Sequence, residues 1–187
     1  MSGLRDQCPL SRGGYDTSGG LANYRGQKFF LRGVPLGKTE SLNGDKLFAV
    51  VKNSTGGTLP AKALVKPKSG TDLKEVGAQA TNAAEFAFGV VDEAIDSAGV
   101  PDGADFLIQV EGWTYLKTND AADATNVISE YDQLVASAED GRVQSQSTSG
   151  ATTTLANNIQ NVIGRAMEAK TTANTAANLL AYVKFTW

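Results

Sequence analysis

The 187-residue chain contains no histidine, one cysteine (Cys8), five prolines, and only 7% aromatic residues. Without histidine, the commonest general base, the middle member of serine and cysteine triads and the most used zinc ligand are all missing, which argues against most hydrolase mechanisms. A single cysteine cannot form an intramolecular disulfide. No apolar run approaches the ~18 residues needed to span a membrane, and none follows a basic leader. The expectation is a soluble protein made in a reducing compartment, without cofactor, metal or catalytic residues. At 41% hydrophobic and 20% charged, it is of ordinary globular composition, and a single body of this size would bury about 70% of its unfolded surface.

Charge is unevenly placed. Residues 1–44 hold six Lys+Arg against three Asp+Glu, and residues 45–187 hold eleven against seventeen, so a +3 segment precedes a −6 body. Nine of the chain's 20 glycines fall in residues 1–44, which lack helical or strand periodicity except around KFFLRGVPL at 28–36. This pattern reads as an extended glycine-rich arm that buries too little apolar surface to order itself and is held by a partner. Arg5, Arg12, Arg25 and Arg32 are interleaved with Tyr15, Tyr24, Phe29 and Phe30, a composition enriched at protein interfaces. These eight residues are the candidate partner-binding set. An unstructured solubilising tail is the first competing reading and nucleic acid the second, but for nucleic acid +3 is thin, and a sequence pI of ≈ 5.0 lies far below the values above about 9 typical of nucleic-acid-binding domains.

From Lys46 onward, short runs of Val, Leu, Ile, Phe, Tyr and Thr alternate with Gly, Asn, Asp and Pro, the pattern of an antiparallel β-domain. Strands are expected at 47–53, 63–67, 86–94 and 105–117, the first two joined as a hairpin through NSTGGT at 53–58. The order then recurs: WTYLKTN follows FAVVKNS, DQLVASAEDGRV follows KALVKPKSGTDL, VIGRAMEA follows AFGVVDEA, and LLAYVKFTW follows FLIQVEGW. The offsets are 65 (Lys52 to Lys117), 70 (Leu64 to Leu134), 75 (Gly89 to Gly164) and 73 (Val110 to Val183). Pseudo-repeats of about 46–112 and 113–187 would close on each other as a small barrel or sandwich, hiding apolar faces and edges. Two segments leave helix and strand open: 126–138, with Val127, Ile128, Tyr131, Leu134 and Val135 at helical spacing behind Asn126, and 155–169, where Gly164 weakens a helix.

Reactive constellations are scarce. NSTGGT lacks the Gly-Lys-Ser/Thr ending of a phosphate loop. Asp92, Glu93 and Asp96 read as solvated loop carboxylates rather than an acid pair, although a cleft shared by two of Asp92, Glu93, Asp96, Asp102 and Asp105 would favour an enzyme. Asn119, Asp120 and Asp123 do not follow calcium-loop spacing, Cys8 reads as a spectator thiol, and Trp113 and Trp187 as caps on the interior.

The body resembles the capsid decoration (cement, head-stabilising) proteins of tailed bacteriophages. The residues carrying the likeness are VVKNSTGGTLPAKALVKP, FAFGVVDEAI, LVASAEDGRVQ and VIGRAMEAKTTANTAANLLAYVKF, in that order between about Lys46 and Trp187. The resemblance implies a mainly β fold, a small barrel or β-tulip-like domain. It also implies a non-enzymatic virion protein, made in the host cytoplasm and placed on the capsid exterior, bound to the major capsid protein and assembled as a homotrimer. No membrane partner is implied, and nucleic acid is disfavoured. The alternative is a receptor- or carbohydrate-binding β-module with Tyr15, Trp113, Tyr115 and Trp187 as stacking platforms.

Overall fold

The computed structural model describes residues 8–35, 43–83, 85–118, 127–146, 161–170 and 177–185. Eleven strands run in chain order: β1 Tyr15–Asp16, β2 Lys28–Pro35, β3 Asn43–Asn53, β4 Leu64–Pro67, β5 Glu75–Gln79, β6 Gly89–Val91, β7 Asp105–Lys117, β8 Gln133–Ala136, β9 Val143–Ser145, β10 Gly164–Ala166 and β11 Asn178–Lys184. A single 3₁₀ turn, Ala22–Tyr24, is the only helical element among the described residues. The fold is mainly β and barrel-like.

Five strands close into a ring. β3 pairs with β5 in parallel, β5 with β4, β4 with β6, β6 with β7, and β7 returns to β3. Closure leaves these strands no free edge on the ring, and five strands enclose only enough space for side chains. From β7 the sheet continues through β11, β10, β8 and β9. A parallel bridge between Thr118 and Val143 brings the start of β9 back beside the end of β7. The same order of connections therefore occurs twice, with the 13-residue β7 closing one ring and opening the next.

The registers of the two rings correspond residue for residue. Phe48, Ala49, Val50 and Val51 oppose Gln109, Ile108, Leu107 and Phe106. Trp113, Thr114, Tyr115 and Leu116 oppose Tyr182, Ala181, Leu180 and Leu179. Val90 and Val91 oppose Gln109 and Ile108 as Arg165 and Ala166 oppose Tyr182 and Ala181. The ladder sets Gly89 against Val65 and Gly164 against Leu134. Leu134 thus occupies the position of Val65, one residue away from the Leu64 match made on sequence.

Alternation explains the interior. On β7, Phe106, Ile108, Val110 and Leu116 point inward, and on β11 Leu179, Ala181 and Val183 do so, all within one core cluster that runs through both rings. β3 is apolar on both faces: Ala49 and Val51 join that core, whereas Phe48 and Val50 join Leu107 and Phe29 in a second cluster on the outer side. A strand hydrophobic on both faces needs a layer on each, and residues 8–31 provide the outer one.

Several expectations are corrected. β3 and β4 are not a hairpin, because β5 lies between them. The NSTGGT turn is instead tied sideways: Asn53 Nδ2 donates to the carbonyls of Gly57 (2.8 Å) and Val100 (3.0 Å), and the Gly56 N–H donates to Asp102 (2.9 Å). The strand expected over 86–94 shrinks to three residues. Over 127–138 there is no helix; Ile128 bridges Lys170, Tyr131 takes a left-handed backbone (φ 71°), and β8 follows. Ladder pairing beneath a buried Ile128 and Leu134 outweighs helical spacing there. Gly164 lies in a strand, and residues 155–160 and Asn126 fall outside the described residues.

Candidate partner-binding surface

The N-terminal segment, read on sequence as an arm, lies against the first ring over its described length. β2 pairs along β3 and β1 along the start of β7. Phe29, 5% exposed, sits with Phe48, Val50 and Leu107, and Cys8, Leu10, Leu21, Tyr24 and Leu31 pack around them. The Tyr24 and Phe29 rings are 6.4 Å apart. Glycine at position 13 is required where the segment crosses the loop after β6, since a side chain there would collide with the Ala94 carbonyl. Burial raises the proton affinity of the Cys8 thiol, with Asp92 adding to the effect. Such a thiol is less reactive than a free one.

Two ionic contacts hold the segment down. Arg25 meets Asp105 through both oxygens, Nε to Oδ1 at 2.6 Å and a terminal nitrogen to Oδ2 at 3.0 Å, and the hydrogen bond holds Arg25 above its usual pKa. Arg12 donates to Asp92 Oδ1 (2.9 Å) and Glu93 Oε1 (3.2 Å) and lies 5.8 Å over the Phe48 ring. Lys46, fully buried, reaches Glu93 Oε1 at 2.7 Å. Asp92 Oδ2 accepts the Gly13 N–H, and Glu93 Oε2 the Tyr115 N–H. Burial lowers the proton affinity of Lys46, and the adjacent Glu93 works in the opposite direction.

Asp92 and Glu93 are therefore not solvated loop carboxylates. They are 0% and 1% exposed because Arg12 and Lys46 supply the opposite charge without which buried carboxylates are costly. They share one site, but their oxygens are occupied by cations and backbone N–H groups rather than aimed into a cleft. Asp96 and Asp102, both exposed, accept N–H bonds from loop residues Ala98 and Gly56.

Of the eight sequence-derived partner residues, Arg12, Tyr24, Arg25 and Phe29 are engaged with the chain's own first ring. Tyr15 and Phe30 remain 41% and 47% exposed. Arg32, also exposed, lies 6.0 Å over the Phe30 ring. Arg5 lies outside the described residues, as do Asn119, Asp120, Asp123 and Trp187. A cavity of about 310 Å³ beside the NSTGGT turn is lined by Thr55, Thr58, Gln79, Thr81 and Asp140 with no cation, so it does not suit an anion.

Sequence reasoning named Trp113 and Tyr115 as stacking platforms but missed that they share a surface with Leu180 and Tyr182, the outer side of the β7–β11 ladder. Trp113, Tyr115, Leu180 and Tyr182 stand there at the positions that Phe48, Val50, Leu107 and Gln109 occupy on the first ring. The first-ring residues are fully buried, whereas Trp113, Tyr115 and Leu180 are partly exposed and Tyr182 is 36% exposed. The Trp113 and Tyr182 rings meet edge to face at 5.8 Å and 79°. The Tyr182 hydroxyl donates to Glu111 (3.0 Å), and burial followed by that carboxylate raises its pKa. The alternating pattern WTYLK and LLAYVK carried this signal; what it lacked was knowledge of which face is covered.

No protein-family model matches the chain, and no curated protein matches it. Among solved structures, it is similar to the crystal structure of the head fiber gp8.5 N base in bacteriophage phi29, with a TM-score of 0.43 and 12% sequence identity over 74% of this chain and 94% of that chain.

Proposed function

We propose that this chain is a non-enzymatic structural protein of a tailed-phage virion that binds the outer surface of the head and stabilises the shell. One observation carries the reading. The segments in which the sequence resembles decoration proteins (50–67, 86–95, 134–144 and 162–185) supply β4, β6, β10 and β11 and parts of β3, β8 and β9. The likeness thus falls on strands of both rings, with β5 and β7 lying outside it. The arrangement of charge is in keeping with a scaffold: the most deeply buried ionic groups clamp the N-terminal segment to the first ring.

In this proposal the partner is the major capsid protein, the assembly is a homotrimer, and the contact surface includes Tyr15, Phe30 and Arg32 together with Arg5. A protein bound across subunit boundaries adds burial that shell expansion must undo, and each added contact raises the resistance of the assembled state by mass action.

The test is to mix purified protein with undecorated heads of the same phage, image them by cryo-electron microscopy, and follow genome release on heating. The expected result is ordered density on the outer surface and release at a higher temperature. Heads that bind no protein at micromolar concentration, or bind it without any gain in thermal resistance, would overturn the reading.

A further inference from the structure

The outer face of β7 is one continuous row with two fates. Its first half holds Leu107, buried under residues 8–31, and the buried Gln109; in its second half Glu111, Trp113 and Tyr115 are partly exposed and Lys117 is exposed, beside Leu180, Tyr182 and Lys184 of β11. The covered half shows how such a face is closed in this fold. A polypeptide lies across it, inserts apolar anchors (Leu10, Leu21, Phe29, Leu31), and places cations against acids at its rim, Arg12 on Asp92 and Arg25 on Asp105.

The rim of the open half has the opposite character. Where the first ring has Asp105, opposite Lys52, the second has Asn178, opposite Lys117; where the first has Val90, the second has Arg165. Lys62 lies 5.5 Å over the Tyr115 ring, and Lys184 is 63% exposed. Four cations (Lys62, Lys117, Arg165, Lys184) thus stand around the aromatic row, Lys184 being 3.4 Å from Glu111 and Arg165 3.4 Å from the Tyr131 carbonyl. Among the described residues, Glu111 is engaged with Tyr182 and Lys184, and Glu168 accepts the Leu180 N–H.

We propose that this face is a docking site for an acidic polypeptide segment, whose Leu- or Phe-type anchors lie between Trp113, Tyr115, Leu180 and Tyr182 and whose carboxylates meet Lys62, Lys117, Arg165 and Lys184. Polypeptide is favoured over glycan because Trp113 turns against Tyr182 edge to face and is only partly exposed, leaving notches between rings rather than a flat ring for a sugar to stack on. The inference does not depend on capsid attachment, since its test reads peptide binding by the isolated protein.

The test uses the full-length protein on an array of random dodecamer peptides, with sulfated glycans and single-stranded DNA as parallel probes. The expected result is selection of peptides in which Asp or Glu flanks Leu or Phe. Affinity should fall at least tenfold in Trp113→Ala and in the double variant Arg165→Glu/Lys184→Glu, and hold within twofold in Lys74→Glu. The double variant changes exposed side chains and gives up only the surface contacts of Lys184 with Glu111 and of Arg165 with the Tyr131 carbonyl, which contribute little to stability, so its melting temperature should stay within a few degrees of the parent's even if Trp113→Ala proves unstable. Lack of acidic-apolar selection, unchanged affinity in the double variant, or binding confined to the glycan or DNA probes would overturn the proposal.

Discussion

Asp105 shows how much a single side chain decides in this molecule. It opens β7 and is fully buried, and its charge is met by Arg25, which arrives from a segment 80 residues earlier. Removing one partner of a buried pair leaves the other charged in a poor dielectric, a loss of about 3–5 kcal/mol in well-buried cases. Because the Arg25 side chain keeps 19% exposure, the lower end applies. Arg25→Ala is expected to lower stability by about 3 kcal/mol, read as a reduced urea midpoint with an unchanged slope. A loss under about 0.5 kcal/mol would mean that the pair behaves as a surface ion pair. Composition alone revealed that Arg12, Tyr24, Arg25 and Phe29 suit an interface. It did not reveal that their partner is the chain's own first ring, because nothing local to residues 12–29 points to Asp92 or Asp105.

At the scale of elements, the long apolar runs were readable and the short polar strands were not. Residues 47–53 and 105–117 show their strands by β-branched and aromatic content, and they form β3 and β7. β5 carries one fully buried residue, Val76, among partly exposed neighbours, and β9 only Val143. Such strands exist because a neighbouring ladder recruits them, which is a tertiary effect. Gly164 shows the same limit: on sequence it weakens a helix, whereas in the fold it lets β10 lie close on β11, where an added Cβ would run into the Tyr182 carbonyl and come within 3.0 Å of the Val183 Cα. Since that neighbour is backbone, it cannot swing aside, and Gly164→Ala is expected to lower stability by about 1–3 kcal/mol. The check is a thermal melt beside Gly57→Ala, where nothing lies within 4 Å and little change is expected.

For the whole molecule, the distribution of burial makes residues 8–35 part of the fold. Removing residues 1–35 would uncover Phe48, Val50 and Leu107 and leave Asp92 and Asp105 without Arg12 and Arg25. Each exposed apolar side chain forfeits about 1.5–3 kcal/mol, so the sum is on the order of 5 kcal/mol, comparable with the whole stability of many domains. The truncated chain is expected to bind a hydrophobic dye and to unfold at much lower urea than the parent. A truncated chain with the parent's urea midpoint would show that the barrel core suffices without its outer layer.

By itself, the sequence determined the class of structure. Short β-branched runs broken by Gly, Asn and Pro favour strands wherever they are placed, and the missing histidine removes imidazole as a base or metal ligand regardless of fold. Only the tertiary structure decided that β5 lies between β3 and β4, that β7 serves two rings, and that Asp92, Glu93 and Lys46 are buried together. These outcomes depend on which distant segments meet. Ladder hydrogen bonds and burial depend on a partner's position in space, and a strand's own residues specify which faces are apolar but not what comes to cover them. The same reason separates the two halves of the outer face of β7: the alternation is similar along its length, yet residues 8–31 bury one half while Trp113 and Tyr115 in the other stay partly exposed.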